Sequence, residues 1–256
     1  MRGESPVPVR IGIVGITGRM GREIVALAAD DPEVTIAGGV AGPGRTVDMI
    51  DGVPVLPSLA ALLARSDVLI DFSTPEGSVA AATAAADAGM PIAIGTTGLD
   101  LRQMEALRAA SARTALAYAR NTAHGVNVLL GLLPQIAAAL AGYDIEIVEM
   151  HHRHKKDAPS GTALALAEAV IAGLDEAPTR TVRGRDGRSP RERGEIGFHS
   201  LRGGGNTGEH TIVFASEGEE IRISHRALSR GAFAAGAIRT AKALIGREPG
   251  WYGPAT

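Results

Sequence analysis

The chain has 256 residues, 45% of them hydrophobic, a formal net charge of −2 and no cysteine. That length supports two compact domains, and the lack of thiols excludes disulfides and thiolate metal sites and fits a cytoplasmic setting. The charge balance and the few aromatics (one Trp, three Tyr, four Phe) argue against nucleic acid as a partner, while the absence of a long apolar run, and of an apolar core in the opening MRGESPVPVR, argues against a membrane or a secretory leader.

A strand-type apolar run over residues 9–14 leads into Gly15-Ile16-Thr17-Gly18-Arg19-Met20-Gly21 and then into helical spacing over 23–29. In such a turn Gly15 permits the sharp reversal, Gly18 lets a pyrophosphate approach the backbone, and Gly21 lets the helix pack closely on the strand. The same spacing also occurs as a plain structural turn, so its context carries the argument. Strand patterns follow at 34–40, 68–72, 92–94 and 115–117, with helical patterns at 58–64, 75–88 and 101–112 between them. This alternation predicts a parallel sheet of α/β type. Three strands end in polar or glycine-containing tips: Asp71-Phe72-Ser73-Thr74, Gly95-Thr96-Thr97-Gly98 and Ala119-Arg120-Asn121-Thr122. Open α/β sheets bind ligands beyond such ends, so the four tips together, counting the glycine turn, predict a dinucleotide site. After Val40 the chain reads Ala41-Gly42-Pro43-Gly44-Arg45, without the acid usually found on the ribose. Arg45 is either a phosphate contact or a solvated turn residue, and the choice between NADH and NADPH stays open.

Beyond Asn121 the rhythm changes. A helix is predicted at 126–140, a strand at 144–150 and a helix at 160–174, then strands at 195–202, 210–217 and 220–226, which describes an α+β domain. The stretch 180–193 holds six arginines but is broken by Gly184, Gly187, Pro190 and Gly194, and reads as a solvated loop. Small-residue helical spacing over 228–244 is expected to pack back on the first domain. Within the second half, Glu149-Met-His-His-Arg-His-Lys-Lys-Asp-Ala-Pro-Ser-Gly-Thr162 has the makings of an anion site with proton donors in its wall. His151, His152 and Lys155 can hold positive charge, and Ser160-Gly161-Thr162 opens a helix whose first N–H groups lie at the positive end of its dipole. No carboxylate is spaced as in H-E-x-x-H, so no metal site is expected. His154 is either a surface residue or part of the site, and Asp157 is expected to brace the loop or a lysine. His210 and His225 are either structural or substrate-facing. Gly203-Gly204-Gly205 is a mobile turn or, second, a substrate loop.

Over nearly its full length the chain resembles the dihydrodipicolinate reductase family, now called 4-hydroxy-tetrahydrodipicolinate reductase. The resemblance rests on the glycine turn at 15–21, Asp71-Phe72-Ser73, Gly95-Thr96-Thr97-Gly98, Asn121 with Gly125-Val126-Asn127, Gly208-Glu209-His210-Thr211 and, most specifically, the block 149–162. It implies a Rossmann-type nucleotide-binding domain from residues 1–122 and 228–256. It also implies a substrate-binding and oligomerisation domain with a mixed or open sheet from 123–227, typically building a homotetramer. It further implies that His151 donates or accepts the catalytic proton, that Lys155 is a proton donor, that His152 contacts substrate, and that Gly161 and Thr162 hold a carboxylate. Cofactor contacts map to Gly15, Ile16, Thr17, Gly18, Arg19 and Met20, to Gly95, Thr96 and Thr97, and to Ala119, Arg120, Asn121 and Thr122. The implied reaction is NADH- or NADPH-dependent reduction of a cyclic imine carrying two carboxylates, in lysine and diaminopimelate synthesis. Ala41 and Gly42 depart from the acidic and basic residues common at the ribose, and Arg120 and His124 stand where small apolar residues are more frequent. Other readings are a reductase of another small dicarboxylic imine, or a dinucleotide-binding sensor without catalysis; the intact proton-donor block favours an enzyme.

Overall fold

The structure, a computed structural model, describes residues 7–42, 44 and 47–255, so Arg45 and its suggested phosphate contact lie outside the described residues. The chain divides into two compact units, one running to His124 and resuming at Arg230, the other Gly125–Ser229. In the first, β1 (Val9–Val14), α1 (Arg19–Ala28) and β2 (Val34–Val40) precede a short hairpin of β3 (Met49–Ile50) and β4 (Val53–Pro54). The elements α2 (Leu59–Leu63), β5 (Val68–Asp71), α3 (Pro75–Asp87), β6 (Ile92–Ile94), α4 (Leu101–Ser111) and β7 (Ala115–Tyr118) then continue the alternation. Next come α5 (His124–Ala139), β8 (Asp144–His151), α6 (Gly161–Ile171), β9 (Arg180–Arg183), β10 (Glu195–Arg202), β11 (Glu209–Ala215) and β12 (Glu220–Arg226). Finally α7 (Gly231–Leu244) and β13 (Gly250–Tyr252) return to the first unit.

The sheet of the first unit runs β13-β7-β6-β5-β1-β2, with every pairing parallel. This is a Rossmann-type sheet whose direction of winding reverses between β1 and β5. Its strands are apolar on both sides because both faces are covered. Ile11, Ile13 and Ile70 face α1 and α7, where they meet Ile24, Val25, Ala237, Ile238 and Ala241. The alternate residues Val14, Leu69 and Leu116 face the other layer, with Leu62 of α2, Ala81 and Ala85 of α3 and Leu107 of α4. Period-two alternation thus divides one strand between two cores. The small residues of α7 allow close approach: a Cβ on Gly236 would lie 1.6 Å from the Thr122 carbonyl oxygen, while the Thr122 hydroxyl donates to the Phe233 carbonyl at 2.7 Å.

The second unit has a mixed sheet, β12-β11-β8-β10-β9, in which β8, β10 and β9 are parallel and β11 is antiparallel to β8 and β12. Alternate residues Ile145, Ile147, Ile196, Phe198, Ile212 and Phe214 pack on Leu133 and Ala137 of α5 and on Ala163, Leu166 and Val170 of α6. The opposite face is half-buried at Glu146, Val148, Met150 and Val213 and exposed at Leu201.

The arginine-rich stretch differs from its reading as a solvated loop. It begins as β9, an edge strand paired to β10, and three of its arginines are drawn onto acids of neighbouring strands, while Arg183, Arg188 and Arg193 are exposed. Arg185 pairs with Glu146 and Glu195, Arg191 with Asp144 and Glu146, and Arg180 with Glu195. Glu195 is 1% exposed, and a carboxylate so withdrawn from water requires these charges. No helix among the described residues is long and apolar enough to cross a membrane.

Because the obstacle at Gly236 is backbone, Gly236→Ala is expected to destabilise the protein by about 1–3 kcal/mol. Equilibrium denaturant unfolding of the variant against the parent checks this, and an unchanged midpoint would refute the close approach.

Candidate active site

Four tips of the first unit lie at the carboxyl ends of neighbouring parallel strands, and each prolongs the ladder by one bond. The N–H of Gly15 donates to Val40 O (2.9 Å), Phe72 to Val14 O (3.1 Å), Gly95 to Asp71 O (2.9 Å) and Ala119 to Ile94 O (3.0 Å). Gly15 turns with φ +86°, and a Cβ there would stand 2.5 Å from the Phe72 carbonyl oxygen, so the turn accepts glycine only. Ile16 is buried, Thr17, Gly18 and Met20 are half-buried, and Arg19 is exposed. Gly18 caps α1 without a side-chain hydrogen bond, whereas Ser58, Thr74, Asp100 and Ser160 cap α2, α3, α4 and α6 with theirs. The first turn of α1 is therefore left without a side-chain acceptor, at the positive end of its dipole, and this fits the pyrophosphate of a dinucleotide.

Behind the second and third tips sits Asp71, fully buried. It accepts the hydroxyls of Ser73 (2.5 Å), Thr96 (2.8 Å) and Ser78, and the Thr96 hydroxyl in turn accepts the Ser73 N–H at 2.9 Å. Burial raises the Asp71 pKa above the usual range, and the three hydroxyls oppose that shift. This network fixes Thr96, while Gly95 is half-buried and Thr97 exposed. At the fourth tip Ala119 and Thr122 are buried, Asn121 accepts the Ala123 N–H at 2.8 Å, and Arg120 and His124 are exposed.

In the second unit, β8 ends on His151 and α6 begins at Gly161, with Thr162 buried beside it. They are brought together by Glu149, 1% exposed. Glu149 lies 2.5 Å from His151 Nδ1, accepts the Ser160 N–H at 3.3 Å, and takes both Arg202 guanidinium nitrogens at 2.7 and 2.8 Å. Burial alone would raise the Glu149 pKa, yet the His151 and Arg202 hydrogen bonds hold it at about 2. Arg202 also donates to the Asp157 carbonyl at 2.7 Å. On the same loop Lys155 Nζ lies 2.9 Å from Asp157 Oδ1, a pairing that holds the Asp157 carboxyl low against the opposing effect of burial. The loop is tied to the turn at 203–206 by His152 N–H to Asn206 O (2.8 Å), Arg153 N–H to Gly204 O (3.3 Å) and Gly203 N–H to His151 O (3.0 Å). His152 is half-buried and His154 exposed.

His210 is 2% exposed. Its Nε2 is 2.9 Å from Ser160 Oγ, which itself accepts the Ala163 N–H at 3.1 Å, and its ring stands edge-on to His151 with centroids 5.1 Å apart. Burial, aided by neighbouring basic side chains, pushes its pKa down to about 3. It therefore stays neutral beside the helix start at ordinary pH. Sequence reasoning passed over Glu149 and Arg202 as site residues. Glu149 was visible as an acid two residues from His151, on the same face of a strand; Arg202 carries no signal until β8 and β10 are set in register, where it partners His151.

A parallel sheet with a glycine turn at its switch point, joined in the chain to a buried His–Glu–Arg group, defines an NAD(P)-dependent oxidoreductase of two units. The family models for the N-terminus and the C-terminus of dihydrodipicolinate reductase match residues 9–122 and 125–255, and the chain belongs to the dihydrodipicolinate reductase family. The 4-hydroxy-tetrahydrodipicolinate reductase of Rubrobacter xylanophilus is 44% identical, over 95% of this chain and 96% of its own. That of Thermomicrobium roseum is 42% identical, over 95% and 97%. The dipicolinate-bound dihydrodipicolinate reductase of Paenisporosarcina sp. TG-14 shares the fold with a TM-score of 0.76 at 22% identity, over 96% of this chain and 98% of that one.

The depressed pKa values set the acid sensitivity of the second unit. Unfolded His210 takes up a proton near 6.5 and folded His210 only near 3, so its contribution is lost as pH falls between those values. Glu149, depressed from 4.5 to about 2, contributes fully above 4.5 and loses its contribution below. His210→Asn is expected to flatten the decline of stability between pH 6.5 and 4.5 and to leave, below 4.5, the decline due to Glu149. Denaturant unfolding across this pH series checks it, and an unaltered upper limb would contradict a neutral His210.

Proposed function

We propose that this chain reduces 4-hydroxy-tetrahydrodipicolinate to tetrahydrodipicolinate with NADH or NADPH and loss of water, in lysine and diaminopimelate synthesis. The observation that carries the proposal is the complete block 149–162, folded so that a histidine and a helix start converge on one buried carboxylate and the lysine-bearing loop on the arginine that pairs with it, in a chain of this family. One substrate, one reduced cofactor and one proton give the product, the oxidised cofactor and water. Residues 1–122 and 228–256 bind the dinucleotide, which supplies a hydride when bound. Gly15–Met20 cradle its phosphates at the first turn of α1, and Gly95, Thr96, Thr97 and 119–122 complete the edge.

Residues 123–227 bind the substrate. His151 transfers the proton that accompanies reduction, since imidazole donates and accepts near neutrality. Lys155 supplies a second donor and a cation for a dianionic ligand. Gly161 and Thr162 hold one carboxylate with the N–H groups of the α6 first turn, and His152 contacts the substrate. The half-buried sheet face carrying Val148, Met150, Leu201 and Val213 is the surface through which four copies assemble, in the cytoplasm.

With substrate generated in place by the upstream synthase, the protein is expected to oxidise NADH and NADPH in a substrate-dependent way. His151→Gln is expected to lower kcat by about 100-fold or more, and Lys155→Ala by about 10-fold or more, with dinucleotide binding retained. Binding of dinucleotide without oxidation would replace the enzyme by a sensor. Val148→Arg is expected to break the assembly into smaller species in native mass spectrometry, and a monomeric parent would overturn the tetramer.

A further inference from the structure

The two ring nitrogens of His151 face different surroundings. Nδ1 meets Glu149 Oε2 at 2.5 Å. Among the described residues no hydrogen bond reaches Nε2. Opposite it stands Gly208, whose Cβ, if it had one, would lie 3.1 Å from Nε2, and whose φ of +149° excludes ordinary side chains. Space in front of Nε2 is thus kept by a position that only glycine fills without strain.

A neutral imidazole carries one proton on one nitrogen, and an ionised carboxylate only accepts. Glu149 is kept ionised by Arg202, which grips both of its oxygens, so the proton between Glu149 and His151 belongs to Nδ1. The exchangeable position is then Nε2, bearing a lone pair in the neutral ring and a proton in the cation. We propose that Glu149, clamped by Arg202, is the positioning residue that fixes the Nδ1–H tautomer of His151 and turns Nε2 toward the gap at Gly208. This rests on the reading of His151 as the proton-transfer residue. Arg202 extends the device, because its bond to the Asp157 carbonyl holds the loop of Lys155 against the same carboxylate. A purely structural brace would need only the Nδ1–H bond to Glu149; a proton-transfer residue needs in addition that Nε2 be left open to exchange.

Protein with 15N-labelled histidine, and His151 assigned by its absence in His151→Gln, reports the tautomer directly. The parent is expected to show a protonated Nδ1 and an unprotonated Nε2 in the neutral ring. In Glu149→Gln, which keeps the shape but loses the charge, the Nε2–H form is expected to gain population. kcat is expected to fall by about 100-fold or more while KM for substrate and cofactor moves by no more than about 3-fold. Arg202→Lys, which leaves a cation beside Glu149 but gives up the two-oxygen grip and the bond to the Asp157 carbonyl, should retain the parent tautomer while lowering kcat. An Nε2–H tautomer in the parent overturns the proposal even if Glu149→Gln does not fold. An unmoved tautomer in a folded Glu149→Gln overturns it while leaving His151 as the proton-transfer residue if His151→Gln is inactive. A moved tautomer with undiminished kcat in both Glu149→Gln and His151→Gln overturns the role of His151, and the positioning role with it.

Discussion

A carboxylate removed from water must find its charge balanced within the protein, and at Glu149 this requirement organises much of the second unit. Its compensation comes from three directions: a guanidinium from the end of β10, an imidazole two residues along its own strand, and an N–H from the cap of α6. Arg202 comes beside the other two only through the parallel pairing that sets it against His151. Withdrawing Arg202 would leave a buried charge uncompensated, a loss of about 3 kcal/mol or more. The site and the sheet register are therefore held by the same interaction.

In the first unit a different device does the corresponding work. The four tips are continuations of the ladder, each bonded to the strand beside it, so the sheet itself sets their spacing. Among the described residues Asp71 is met by hydroxyls and by no cation. Its geometry links the tip after β5 to the tip after β6 through Thr96, and α7 steadies the tip after β7 through Thr122. A Rossmann edge that must hold an extended ligand is thereby supported from the sheet below and from the helices on either side.

The sheet of the first unit was legible because its strands are continuous apolar runs separated by glycine and polar tips; β1, β2 and β6 lie where the pattern places them. The helix after the glycine turn starts four residues earlier than its apolar spacing indicates, since Gly18 already serves as its cap. The elements that escaped, β9, β13 and the hairpin of β3 and β4, are two to four residues long and carry no periodicity of their own. Arg180–Arg183 is a strand through its parallel pairing with β10, and Glu195 on that strand pairs with Arg180. The same limit governs the site. The histidines, the lysine and the helix start are contiguous and readable as a block, and the segment Gly208-Glu209-His210-Thr211 is readable through the family resemblance, while Arg202 joins them through strand pairing alone.

The helix α7 and the strand β13 close the sheet and one core of the first unit from the far end of the chain. During synthesis the residues up to His124 emerge long before the helix that covers Ile13 and Ile70 exists. The inserted unit, whose elements are contiguous, has all its partners in hand earlier. Order of completion thus runs opposite to order of appearance: the half that begins the chain is the last to be finished, and until then its exposed apolar face is the stretch most open to misassociation.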